Sequence, residues 1–252
     1  MQPDISHWRI RESYDYLDGL PPEGLAWEFL RRNTSYQREY SSSKPGRRPF
    51  AKADTVKRWG LQFLVDPQSS ALDDPVTWSP SVDPGVLVVM GTPDLFETTM
   101  PLDIPFASTR KSAGTLHAVT ILGNHSFNIL FAAKSKPGDR VAALVLIDDD
   151  CLSRMEALTR FWRALRGRAV PPDTRLTVQQ RQRIRLMMQA VDGHHNHATY
   201  REIADVIYGA ARVASDAWKT SALRDSTIAL VKNGTAMVEG EYRQLLKHRR
   251  RS

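Results

Sequence analysis

Lys219, Thr220, Ser221 and Arg224 stand close together at the start of WKTSALRDSTIALVKNG, a segment of helical periodicity. A cation, two hydroxyls and a guanidinium on the first turns of a helix are the groups that reach base edges and phosphates in the major groove. Arg224 suits bidentate reading of guanine, and Thr220 and Ser221 suit phosphate or base contacts. Arg201 in the preceding helical segment and Lys232 farther along extend this DNA-binding set. The same residues also suit an ordinary three-helix bundle with a polar face, because such units are reused for many purposes. Pattern alone leaves both readings open.

A second constellation lies near the N-terminus in YDYLDGLPPEGLAWEFLRRNTSYQREY. Tyr14, Trp27, Tyr36 and Tyr40, with Arg31 and Arg32, are the residue types that dominate protein–protein hot spots, and they form a candidate partner-binding set. The plainer reading is packing, which is favoured for Trp27 and Phe29. The others remain undecided between the two.

Other chemistry is poorly supported. The single cysteine, Cys151, rules out an internal disulfide and a multi-cysteine zinc site. His194, His195 and His197 lack metal-ligand spacing and read as a polar loop between helices. Asp148–Asp150 read as acids at a helix start rather than as a cation site. P-loop, GxSxG and GxGxxG motifs are absent from the sequence, so neither an enzyme nor a bound cofactor or metal is expected. Met1–Gly19 lacks a signal-peptide apolar core, and the longest apolar run, Val141–Ile147, is far too short for a membrane span. A soluble cytoplasmic protein is expected.

Charge points the same way as the first constellation. The net charge is +7, distributed as +3 over residues 1–60, −2 over 61–170 and +6 over 171–252. A basic balance favours polyanions. Four of those last cations, Lys247 and Arg249–Arg251, lie in the tail, so the helical segment itself is mildly basic. Arg175, Arg181, Arg183 and Arg185 read as phosphate contacts or as a solvated helix face, with the latter favoured for half of them.

The elements that must position these residues follow from periodicity and stop signals. Pro21 and Pro22 start an amphipathic helix expected over Glu23–Tyr40. Ser41–Arg48 reads as a loop, Val56–Val65 as a short apolar segment and Pro67–Pro84 as a linker. Val86–Met90, Thr115–Leu122, His125–Ala132 and Val141–Ile147 read as strands, with Gly123-Asn124 as a hairpin turn. A helix follows over Leu152–Leu165. Thr177–Gln180 and Thr199–Glu202 have capping-box spacing. Asp192-Gly193, Gly209 and Asn233-Gly234 are read as helix stops, Ser215 or Asp216 as the cap of the third helix, Thr235–Val238 as a short wing strand and Tyr242–Leu246 as a closing helix. The fold class is α+β: an N-terminal amphipathic helix, a central small antiparallel β block and a C-terminal helix-turn-helix three-helix domain. The expected divisions are 1–66, 67–84, 85–169 and 170–252.

The N-terminal stretch resembles a short transcriptional-regulator motif of alphaproteobacterial proteins. RLTVQQRQRIRLMMQAVDG, TYREIADVIYG, WKTSALRDSTIALVKNG and EYRQLL resemble a divergent helix-turn-helix domain formerly of unknown function. Together they look like FseA-type excision activators of rhizobial integrative and conjugative elements. That resemblance implies a transcriptional activator of excision and transfer genes, with promoter DNA as a partner and RNA polymerase or an antiactivator as protein partners. It makes Trp218–Arg224 the start of a recognition helix and Tyr14–Tyr40 the activation module. The competing expectation is an antiactivator-like interaction module that binds another regulator without binding DNA.

Overall fold

The structure is a computed structural model that describes residues 3–43, 51–73, 76–96, 101–112, 114–215 and 217–247. Asp216 and the tail residues Arg249–Arg251 lie outside these, as does most of the expected loop Ser41–Arg48. Among the described residues the α-helices are α1 (Tyr16–Gly19), α2 (Pro22–Leu30), α3 (Thr34–Ser42), α4 (Ala51–Trp59), α5 (Cys151–Leu165), α6 (Val178–His195), α7 (Tyr200–Tyr208), α8 (Ala210–Ala214) and α9 (Ala222–Glu239). The strands are β1 (Leu87–Gly91), β2 (Ser108–Ser112), β3 (Thr115–Leu122), β4 (His125–Phe131) and β5 (Val141–Ala143). Two compact units result. One joins Met1–Thr55, Leu64–Val76 and Thr174–Leu245; the other joins Val56–Phe63, Thr77–Asp173 and Leu246–Ser252.

In the first unit the expected single helix over Glu23–Tyr40 is two. Pro22 occupies the first turn of α2 as expected, but α2 ends at Leu30. The Asn33 side chain then accepts hydrogen bonds from the Ser35 and Tyr36 backbone N–H groups and caps α3. A side chain that satisfies the free N–H groups of a new helix competes with continuation of the old one. Nor is α2 amphipathic: Gly24, Leu25, Ala26, Trp27, Glu28, Phe29 and Leu30 are all buried, as befits a helix enclosed on all sides.

Both capping boxes form, at Thr177/Gln180 of α6 and Thr199/Glu202 of α7. Gly209 stops α7 at φ +91°. The other two stop signals are overridden. α6 runs through Asp192-Gly193 to His195, and α9 runs through Asn233-Gly234 to Glu239, so the expected wing strand over Thr235–Val238 is helical. Packing explains both glycines. A Cβ on Gly193 would come within 2.9 Å of the Trp8 ring, and one on Gly234 would overlap Val191 Cγ2 and approach Met187 O to 2.8 Å. These glycines let other groups approach closely; they do not end helices. Glu241–Leu246 closes the segment as a 3₁₀ turn with Tyr242 buried.

The second unit carries a five-stranded sheet in the order β2-β3-β4-β1-β5. The β3–β4 hairpin forms around Gly123 (φ +61°), with Leu122 opposite His125. The sheet is mixed rather than antiparallel, because β1 lies parallel to β4 with Leu87 opposite Ile129. Short turns identify neighbours along the chain, but they do not say which edge an earlier strand joins. β2 carries no apolar alternation and was not foreseen; it is an exposed edge strand paired to β3. β5 covers only Val141–Ala143 of the expected Val141–Ile147. One sheet face packs Leu87, Val89, Phe127, Ile129 and Phe131 against Phe161 of α5.

The stretch expected as a linker carries packed groups. In the first unit the Ser69 carbonyl accepts from Trp27 Nε1 at 3.0 Å. In the second, Trp78 is fully buried and bridges Leu61.

Candidate nucleic-acid interface

The segment between α7 and α9 runs from Gly209 to Ser221 and holds α8 and a 3₁₀ turn, Trp218–Thr220. It is longer than the single turn of the expected helix-turn-helix. Ser215 does not cap α9; its hydroxyl donates to the Arg212 carbonyl. Ser221 is the cap, with its Oγ accepting from Leu223 N at 3.2 Å, and it is buried. Its hydroxyl oxygen is therefore engaged in starting the helix.

Lys219 and Thr220 are exposed on the 3₁₀ turn just before that cap. Arg224 lies one turn on, half-exposed, with Nη1 3.3 Å from Asp225 Oδ1. Arg201 is exposed on the first turn of α7 and Lys232 on the third turn of α9. The exposed row of α9 runs Ala222, Asp225, Ser226, Ala229, Lys232 and Asn233, half-covered only at Ala229. Helical spacing of three and four puts these on one face. Ser226 and Asn233, outside the set read from the sequence, share this row opposite the buried Thr227, Leu230 and Val231.

The arginines in and just before α6 divide. Arg175 reaches Glu23 at 3.0 Å, Arg181 donates to the Leu20 carbonyl at 2.6 Å, and Arg185 binds Asp15, Asp18 and the Arg11 carbonyl. These three tie the C-terminal helices to the N-terminal segment, which neither sequence reading foresaw. Arg183 is exposed.

The N-terminal set lies inside. Tyr14, Trp27, Arg31, Arg32 and Tyr36 are buried, and Tyr40 is half-buried. Their polar atoms are engaged within the same unit. Tyr36 OH donates to the Val65 carbonyl at 2.6 Å, and Tyr40 OH lies 3.3 Å from Asp66 Oδ2. Arg31 Nη1 donates to the Pro67 and Gln68 carbonyls. Glu28 Oε2 accepts from Tyr16 OH, Arg31 Nε and Arg32 Nη1 at 2.8, 2.8 and 2.9 Å. Arg32 also clamps Asp192, which accepts a further bond from Tyr14 OH at 2.7 Å. Burial pushes the Glu28 carboxyl up, but Arg32 and Arg31 outweigh it and hold the group below the usual range. Burial, reinforced by Glu28, pushes the Tyr16 hydroxyl up to about 12. Side chains so enclosed, the half-buried Tyr40 apart, cannot present a docking face. The density of Tyr, Trp and Arg that suggested a partner instead marks a buried polar network, and the sequence signal for the two is the same.

Residues 144–247 match the family model described as T6SS, transcription factor, DNA binding domain. Residues 7–64 match that of a proteobacterial transcriptional regulator-like domain. Together they support a DNA-binding transcription regulator. No curated protein matches the chain. In this regulator the DNA-binding match encloses α5 to α9, and with them Arg201, Lys219, Thr220, Ser221, Arg224 and Lys232. The regulator-like match encloses the buried network's N-terminal half. Among the described residues no group of three His, Cys, Asp or Glu is placed to hold a metal, and no helix is long and apolar enough to cross a membrane.

Proposed function

We propose that this regulator is a cytoplasmic transcriptional activator that binds promoter DNA through the start and exposed row of α9. Its targets are the excision and transfer genes of an integrative and conjugative element, as the resemblance of both end segments implies. The observation that carries the DNA-binding reading is the α9 row itself. Small and hydrogen-bonding side chains at Ala222, Ser226, Ala229 and Asn233 permit close seating in a groove, with Lys219 and Lys232 at its ends for phosphates. Arg224 is the base-reading candidate, Thr220 a phosphate or base contact and Arg201 a phosphate contact. Ser221 contributes by launching the helix.

A protein partner, RNA polymerase or an antiactivator, belongs to the same reading. Its contact is assigned to the outer side of α3, where Arg38 is exposed and Tyr40 half-exposed.

Fluorescence anisotropy with DNA fragments from the gene's own neighbourhood, titrated over a salt series, tests the DNA reading. One fragment should bind preferentially. Lys219→Ala and Lys232→Ala should each lower the salt slope by about 1, while Arg224→Ala should relax base preference. Absence of binding to every such fragment at low salt overturns the reading. Loss of reporter activation in Arg38→Ala/Tyr40→Ala, with DNA binding intact, is the result expected for the α3 contact.

A further inference from the structure

α5 has two apolar faces. Its inner face, with Leu158 and Phe161, packs on the sheet. Its outer face carries Leu152, Met155, Thr159, Trp162 and Arg166, spaced three and four residues apart. That is the spacing of a helix seam that meets another helix. Leu152 is 80% exposed, Met155 52% and Trp162 43%, and just before the helix Ile147 is 93% exposed. These are large apolar side chains on a well-formed fifteen-residue helix, and together they mark an interaction surface.

Charge is distributed along the same helix with a definite polarity. Asp148, Asp149 and Asp150 lie at its N-terminal end, and Arg163, Arg166 and Arg168 at its C-terminal end. Local contacts use part of this charge: Asp148 meets Arg154 at 3.2 Å, Asp150 meets Lys247 at 2.7 Å, and Arg163 donates to the Ala169 carbonyl. Arg166 and Arg168 remain exposed, with the Arg168 guanidinium over the Trp162 ring at 4.8 Å.

We propose that α5 is a dimerisation helix and that its occupant is the α5 of a second copy of this chain, packed antiparallel about a two-fold axis. An apolar seam with acids at one end and arginines at the other is complementary to itself when reversed. In that register Leu152 faces Trp162 of the second copy, Met155 faces Thr159, and Asp148 and Asp149 lie beside Arg166. Each contact occurs twice, as a two-fold interface requires. Antiparallel helix dipoles add a favourable term. A nucleic acid fits the same face poorly. Phosphates offer nothing to Leu152, Met155 and Ile147, and they are repelled by the acidic end.

Sedimentation velocity of the full chain over a concentration series tests this. The wild type should dimerise at micromolar concentration. Leu152→Glu and Trp162→Glu should each raise the dimer dissociation constant at least about tenfold, with the thermal melt unchanged for Leu152→Glu, whose side chain faces solvent in the single chain. Arg166→Glu should weaken the dimer, and adding Asp149→Arg should restore it, since the swapped pair recurs across the axis. A wild type that stays monomeric overturns the proposal, as does a dimer indifferent to Leu152→Glu. Loss of DNA binding in Trp162→Glu with the mass unchanged also overturns it, by assigning the face to DNA.

Discussion

Arg32 and Asp192 are 160 residues apart in the chain and form a buried, two-pronged ion pair, Nε to Oδ1 at 2.7 Å and Nη2 to Oδ2 at 2.9 Å. Each prong is a charge-assisted hydrogen bond of the geometry that guanidinium and carboxylate share. The pair joins the middle of the regulator-like match to the last turn of α6, inside the DNA-binding match.

Removing one partner leaves the other charged and enclosed. Asp192→Ala should cost about 3–5 kcal/mol in folding stability, read as a fall in the urea midpoint. Arg32→Met with Asp192→Leu should recover part of that loss, because neither member of the pair is then left charged alone and Glu28 keeps Arg31, although Tyr14 OH loses its acceptor. A loss from Asp192→Ala within the range of a surface substitution would show that the pair has little structural weight.

Acid should act through Glu28. Its carboxyl is held below 4.5 in the folded state by Arg32 and Arg31, in spite of burial. The unfolded chain therefore takes up this proton first, so the stabilisation is present above about pH 4.5 and is lost as pH falls through the folded value. Thermal melts from pH 7 to pH 3 should show a steep decline below about 4.5. Glu28→Gln should lower the melting temperature at pH 7 and flatten that decline.

His117 should act in a higher window. It is buried in the sheet, its Nδ1 has no partner among the described residues, and Phe63 meets it edge-on at 5.1 Å. Burial pushes the imidazole down to about 4. The unfolded chain protonates near 6.5 and the folded chain near 4, so stability drains away between those values as pH falls. His117→Leu removes both the unpaired nitrogen and the titration. It should remain within about 1 kcal/mol of wild type at pH 7 and abolish this part of the slope.

Gly234→Ala should destabilise the protein even though alanine favours helix. The propensity gain is about 1 kcal/mol, whereas the added methyl overlaps Val191 and crowds the Met187 carbonyl. Overpacking at a helix crossing costs about 1–3 kcal/mol, so chemical denaturation should show a net loss. A stabilised variant would mean that α6 and α9 can separate without cost.

Local signals were legible wherever the chain settles its own hydrogen bonds. The capping boxes at Thr177 and Thr199, the stop at Gly209, the Gly123-Asn124 hairpin and the helix after Asp150 need only neighbouring residues, and each forms. The resemblance of the two end segments to regulators was likewise carried by short motifs. Wherever a residue's role depends on what lies across from it, sequence was silent. Gly234 is equally plausible as helix interior or helix boundary until α6 packs against it. β1 could join either edge of the hairpin. Tyr14, Trp27, Arg31, Arg32 and Tyr36 have the composition of an interface, and only the distant Asp192 and the carbonyls of residues 65–69 turn them inward. Sequence by itself determined the capped helix starts, the hairpin turn and the basic balance of the C-terminal part, because caps, turns and net charge are local or additive. Tertiary structure decided which arginines are anchors and which remain on the surface, because burial and ion pairing are set by groups far away in the chain.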